Sequence, residues 1–381
     1  MSKKIRTVCG DVAPDEIGFT SSHDHVIADM NTVRSFLVSS NEVPFPEEML
    51  KLNYENLNFL RSGGWILSKD VVETSNQAHY DFLLKELMEF KKAGGDCIVD
   101  PTPIGVRGDI GAPGAGIGAV RELSEKSGVK IVCATGLYHD TFMPPELKDK
   151  SEDELKAIFE DEIANGIGDS GIKPGFLKAA IGFVGPDGAI HPNEIKVFRA
   201  ICRVAVETGM GIEVHLTSPA SGIKEALVFA DIALNEYHVN PRKLCFCHVG
   251  NLIAEVLPID EYILHGSKYD IDGHRELLSK GVLISFDDFG SHPCQSSEFD
   301  NTYRPSDYIR IRAVHELINE GYVSQLLMSH DFCCKTAGKS YGGHGYCRVI
   351  SYVCPMLKKL GHTDEEIRTM TIDTPREFLA F

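Results

Sequence analysis

The sequence predicts a closed (β/α)8 barrel of the TIM type, with a long insertion in its first βα loop. Three observations carry that expectation. Eight short apolar runs of β type recur along the 381 residues, amphipathic segments separate them, and no Gly-rich dinucleotide fingerprint follows the first run. Strands of four to eight residues alternating with helices imply parallel βαβ units. Eight such units suit a closed barrel better than an open doubly wound sheet.

The runs, in order, are GFTSSHDHV, DCIVDPTP, KIVCATGLY, GFLKAAIG, GIEVHLTS, KLCFCHVG, GVLISFDD and QLLMSHDF. Between them lie DFLLKELMEFKKAG, AVRELSEKSG, EDELKAIFEDEIANG, NEIKVFRAICRVAVETG, IKEALVFADIALNEY, RELLSKG and DYIRIRAVHELINEG, several closed by the Gly that commonly stops a helix. The irregular piece is residues 30–78, far longer than a usual βα loop. An insertion there overlies the carboxyl ends of the strands, where barrel enzymes keep their sites. It serves as a lid or pocket wall, with Trp65, Phe36 and Tyr54 as contacts, or as a packing excursion. No repeat or linker divides the chain, so residues 1–381 are expected to form a single domain.

Composition narrows the partners. With 43% hydrophobic and 24% charged residues the chain is an ordinary globular one. A formal net charge of −17 disfavours nucleic acid and anionic membrane surfaces but does not select a substrate; a small-molecule substrate is expected. No apolar run is long enough to span a bilayer, and MSKKIRTVCGDVAPDE lacks the apolar core of a signal peptide. Eleven irregularly spaced cysteines suggest free thiols and a cytoplasmic location. Cys245 and Cys247 are expected as small residues on the helix-facing side of their strand.

The residues that carry chemistry fall at the run ends. His23 and His25, one residue apart, project to one face of a strand. Lys178 lies in run four, His215 ends run five, His248 ends run six and Asp331 ends run eight. A closed barrel brings all six to one rim, and their types are those that bind divalent transition metals. Lys178 is the odd member, since an ammonium repels cations. Its neighbours, Phe176-Leu177 and Ala179-Ala180-Ile181, are apolar, and burial is expected to lower its pKa. A neutral amine takes up CO₂ to give a carbamate, whose two oxygens can bridge two metals.

These residues resemble the phosphotriesterase-related family of the amidohydrolase superfamily, nearly end to end. IRTVCGDVAPDEIGFTSSHDHV is similar to the family's leader, and GGDCIVDPTP, KIVCATGLYHD, the lysine run, the two later histidine strands and LMSHDF follow in family order. The close, from YGGHGYCRVISYV to TPREFLAF, is similar too. The resemblance implies two divalent ions, zinc first, with manganese, iron or cobalt as alternatives. His23, His25 and Asp331 would hold the more buried ion and His215 and His248 the more exposed one. N6-carboxylated Lys178 and a hydroxide would bridge both. A homodimer is expected on the same ground.

Departures from the family lie outside the six ligands. Asp24 stands where relatives usually have Glu, TPIGVRGD replaces a tighter turn, and SFDDFG lacks the arginine that simple lactonases carry nearby. Asp331 is the expected catalytic proton shuttle. Tyr138 matches a position where related lactonases place a tyrosine, to orient substrate or to pack. Arg348 and His344 bind an anionic substrate group or hold their loop, and Asp287 and Asp288 are expected to support the site through hydrogen bonds. The function this implies is metal-dependent hydrolysis of a carboxyl ester, a lactone first. The alternatives are phosphotriester hydrolysis and amide hydrolysis of an N-acyl substrate. A non-catalytic metal-binding cupin is excluded by the helical segments.

Overall fold

The computed structural model describes residues 3–40, 45–62, 64–72, 77–107, 116–182, 184–185, 188–218, 220–254, 259–290 and 305–381. A short antiparallel hairpin, β1 (Ile5–Thr7) and β2 (Gly10–Val12), comes first. It leads into β3 (Thr20–Ser21), the first strand of an eight-stranded sheet. The sheet continues through β4 (Cys97–Asp100), β5 (Lys130–Gly136), β6 (Phe176–Ile181), β7 (Ile212–Leu216), β8 (Leu244–Phe246), β9 (Leu283–Phe286) and β10 (Leu326–Met328), each parallel to its neighbour in chain order. All eight apolar runs became strands.

The sheet is nearly closed into a barrel. Ladder pairing is lacking between β3 and β10, because β3 is only two residues long. Single contacts bridge the seam instead: Ser22 donates to the Met328 carbonyl through both N (3.4 Å) and Oγ (3.1 Å), and Asp331 N donates to His23 O at 3.1 Å. Strands covered on both faces read as continuous apolar runs, and β6 is buried at all six positions.

Helices stand on the outer face for reasons visible in their ends. Glu152–Asn165 opens on a capping box, with Ser151 Oγ accepting from Glu154 N and Glu154 Oε2 accepting from Ser151 N. Pro192–Thr208 starts on proline and stops at Gly209, whose φ of 75° suits a residue without Cβ. Ile223–Asp231 runs into a π turn over Ile232–Glu236, so the expected single helix changes winding near its end. No helix among the described residues is long and apolar enough to cross a membrane.

The insertion is more regular than its sequence suggests. Its described residues form helices at Asn31–Ser40, Leu57–Arg61 and Lys69–Val72, with 3-10 turns at Glu47–Leu50 and Gly64–Leu67. Leu60, Leu67, Val71 and Val72 are its buried anchors. Lys335 Nζ, after β10, donates to Asp70 O at 2.7 Å and ties the insertion to the rim. Tyr54, expected as a pocket contact, is 92% exposed, because it sits on the outer turn between two short helices. The Phe36 side chain lies outside the described residues, and Trp65 is half buried.

Cys245 and Cys247 also differ from expectation. They pack with Val99, Val132, Phe176, Leu283 and Leu327, alternate residues of neighbouring strands that fill the barrel interior. Their side chains therefore point inward, away from the helices.

Candidate metal centre

Five strands, β3, β6, β7, β8 and β10, bring the six expected ligands toward one place. His23 and His25 lie just beyond β3, so strand pleating alone does not pair them. Their backbone remains pinned, with Asp24 N donating to Val99 O (3.0 Å) and His25 N to Phe332 O (2.9 Å). The result is the expected convergence: His23 Nε2 is 3.6 Å and His25 Nε2 3.5 Å from Asp331 Oδ1. His248 follows β8, and its ring centroid is 4.8 Å from that of His23 and 4.4 Å from that of His215 on β7. Lys178, 1% exposed on β6, faces the same interior. His248 and Asp331 both adopt left-handed backbone conformations, φ 61° and 52°.

The remaining ring nitrogens are held from behind. His25 Nδ1 contacts Thr102 Oγ1 at 2.7 Å, and Thr102 in turn donates to Asp100. His248 Nδ1 lies 3.0 Å from Asp287 Oδ1, which also accepts from the His248 backbone N at 2.8 Å. His23 Nδ1 is hydrogen-bonded to Glu213, a residue the sequence reading missed. The signal was present: Glu213 lies two residues before His215, hence on the same strand face, and a charge inside an apolar run calls for a partner. Thr102 and Asp100, in the run DCIVDPTP, went unnoticed for lack of any ligand type beside them.

Charge and burial act on these groups in different directions. Burial, reinforced by Lys178 and His248, holds His23 far below the usual histidine range and brings His25 down to about 3. His215 is likewise depressed by burial and then by His248. His248 goes the other way, because Asp287, Asp288 and Asp331 outweigh its burial. Burial raises Asp331 to about 7, with Asp288 and Asp287 adding to the rise against the pull of His248 and Lys178. For Lys178 the expectation is overturned. Burial does lower its pKa, but Glu213, Cys247, Asp287 and Asp331 raise it more, so the net direction is upward in the metal-free protein.

The donor set fits divalent cations. Two groups of ligand atoms, His23/His25/Asp331 and His248/Asp288/Asp331, each lie within 4.8 Å of one another and share Asp331. Lys178 Nζ and His248 Nε2 are buried without a hydrogen-bond partner, as atoms awaiting a further group are. Asp288, expected behind the site, stands among the candidate ligands, while His215 Nε2 is 3.1 Å from the Tyr138 hydroxyl.

Of the residues expected at the substrate, Tyr138 stands beside His215, while Arg348 and His344 are engaged within their own loop. Arg348 Nε donates to Asp307 at 2.7 Å, and its guanidinium lies 3.6 Å from the Tyr352 ring centroid, so it fixes its loop. His344 packs against Gly290, and burial with the Arg348 charge lowers its pKa, which leaves it uncharged. From the insertion it is Val71, rather than Trp65, that lines the cavity beside His25, with His79, Phe332, Cys333 and Cys334.

Comparison with known proteins agrees with this geometry. Residues 3–379 match the phosphotriesterase family. A phosphotriesterase-related protein of Nematostella vectensis is 27% identical over 380 residues, covering 100% of this chain and 99% of its own. The N-acetyltaurine hydrolase of Bos taurus is 25% identical over 382 residues, with 100% and 99% covered. Among solved structures, a resiniferatoxin-binding protein from Rhodobacter sphaeroides superposes with a TM-score of 0.80 at 25% identity, over 99% of this chain and 94% of that one. The organophosphorus hydrolase of Deinococcus radiodurans shares the fold, with a TM-score of 0.69 at 24% identity over 99% and 96% of the two chains. The chain belongs to the phosphotriesterase family of the amidohydrolase superfamily and is a metal-dependent hydrolase of the two-metal type.

Proposed function

We propose that this protein hydrolyses a small acyl compound at its carbonyl carbon. The observation that carries this reading is the Tyr138 hydroxyl, 3.1 Å from His215 Nε2 beside the ligand cluster. Burial pushes the phenol far above its ordinary pKa, so it stays protonated and donates a hydrogen bond. A flat carbonyl oxygen can lie beside such a donor, whereas a phosphotriester needs room for three substituents around phosphorus.

His23, His25, His215, His248, Lys178 and Asp331 would hold two divalent ions, with zinc the first choice and Lys178 carboxylated on Nζ. Such ions lower the pKa of water from about 15.7 to about 7 and polarise a carbonyl oxygen. The protein's own groups do the rest. Asp331, whose Oδ1 lies 3.6 Å from His23 Nε2 and 3.5 Å from His25 Nε2, accepts the proton of the attacking water and returns it to the leaving group. Tyr138 orients the carbonyl, and Val71 and Phe332 supply part of the apolar wall of the cavity beside His25.

The sequence puts a lactone first. The whole-length N-acetyltaurine hydrolases move N-acyl amines ahead of it, and a returned proton matters most for an amine leaving group. Lactones remain the second reading, favoured by Tyr138. The test is a hydrolysis screen of metal-reconstituted protein against N-acyl amines, lactones, aryl esters and dialkyl aryl phosphates. The highest kcat/KM is expected among N-acyl amines; a phosphotriester leading all acyl substrates would overturn the proposal.

A further inference from the structure

Glu213 lies on β7 directly across from Lys178 on β6 and is 1% exposed. Its carboxylate is hydrogen-bonded to His23 Nδ1, accepts from Cys247 Sγ at 2.7 Å, and has Oε1 3.9 Å from Lys178 Nζ. Desolvating a carboxylate costs several kcal/mol unless its partners offset it. Two of the three groups that do so here are candidate metal ligands.

We propose that Glu213 is a positioning residue for the metal centre. By accepting a hydrogen bond from Nδ1–H it fixes His23 in the tautomer whose free lone pair is on Nε2, the atom facing Asp331. Its charge also holds Lys178 Nζ on the interior face, within reach of the same cluster.

A different role can be separated on geometry. His23, Glu213, Cys247 and Asp287 together have the composition of a closed zinc site. Ligand atoms on tetrahedral zinc, with bonds of 2.0–2.3 Å, stand about 3.3 Å or more apart. Cys247 Sγ and Glu213 Oε1 stand at 2.7 Å, inside that spacing, and His23 Nδ1 is hydrogen-bonded to the same oxygen. As placed, these four residues form a hydrogen-bonded support behind His23, and metal stoichiometry separates that role from ligation.

The inference rests on His23 being a metal ligand, and its test keeps the two apart. Metal content, chelator-competition affinity, kcat and KM, and the visible spectrum of cobalt-loaded protein are compared in wild type, Glu213→Gln and Glu213→Ala. Glu213→Ala is expected to lose about 10–100-fold in metal affinity with an altered cobalt spectrum. Glu213→Gln, whose amide oxygen still accepts the Nδ1 proton, is expected to recover part of both. Wild-type affinity and spectrum in Glu213→Ala, with only thermal stability changed, would overturn this inference alone. A third equivalent of metal that Glu213→Ala loses would also overturn it, in favour of ligation. Wild-type protein that binds no metal would overturn the proposed function as well.

Discussion

Replacing Asp24 with Asn is expected to loosen the barrel where it closes. Asp24 is fully buried between the two leading histidines. Its Oδ2 accepts from Ser21 Oγ and from His330 Nδ1 at 2.9 Å, and its Oδ1 accepts from Phe332 N at 2.9 Å. Val349 N donates to His330 Nε2 at 3.0 Å, which places the imidazole proton on Nδ1. Three donors thus converge on one carboxylate and join the end of β3 to the end of β10. An asparagine side chain offers one acceptor oxygen and a donor NH₂, so in either orientation at least one donor faces another. An orphaned buried donor costs about 1–3 kcal/mol, and hydrogen bonds to an ionised group are roughly twice as strong as neutral ones. The expected loss is about 2–4 kcal/mol for Asp24→Asn and about 3–5 kcal/mol for Asp24→Ala. The assay is urea unfolding of metal-loaded protein, with thermal inactivation at one fixed scan rate as a check on reversibility. Metal retention should fall in parallel, because Phe332 follows Asp331. An Asn variant within about 0.5 kcal/mol of wild type would refute the seam argument.

Other outcomes are equally open to measurement. Asp331→Asn is expected to keep appreciable metal while kcat falls by about a hundredfold or more, and near-normal turnover would remove its proton role. Lys178→Ala should lose metal and activity, with partial recovery in propionate if a carbamate is what the lysine supplies. Tyr138→Phe should cost about 2 kcal/mol in kcat/KM, roughly 30-fold, at unchanged metal content. His274 Nε2 is engaged by Val249 O at 2.9 Å and burial brings its pKa down to about 4. The unfolded chain then binds more protons between pH 6.5 and 4, so stability falls as pH drops through that window, by about 3 kcal/mol from this group. His274→Gln should flatten that slope in unfolding measured across the window.

What the sequence disclosed follows the range over which its signals act. The eight strands and their helices were legible because apolar period and glycine stops are local, as in FLKAAI of β6 or at Gly209. The grouping of the candidate ligands was legible because strand ends in a barrel share one rim, as those bearing His215, His248 and Asp331 do. Lys178 shows where local reading fails. Its chain neighbours are apolar, but Glu213, Asp287 and Asp331 approach from other strands and reverse the direction of its pKa. Arg348 was similarly ambiguous until Asp307, on the helix Asp307–Asn319, came within 2.7 Å. The insertion was misjudged as irregular because its helices are too short to show a clear period.

The backbone at His248 and Asp331 is one further source of tension in this molecule. Side chains other than glycine enter the left-handed region at a cost of about 1–2 kcal/mol each, and two of the three that do so here, His248 and Asp331, are candidate metal ligands. His248→Gly or Asp331→Gly would relax the chain while emptying the centre of a donor. Directed evolution screened on heat tolerance alone is therefore expected to drift toward glycine or asparagine at these two positions, yielding hardy but silent variants. Only a screen that couples survival to turnover keeps the strain in place.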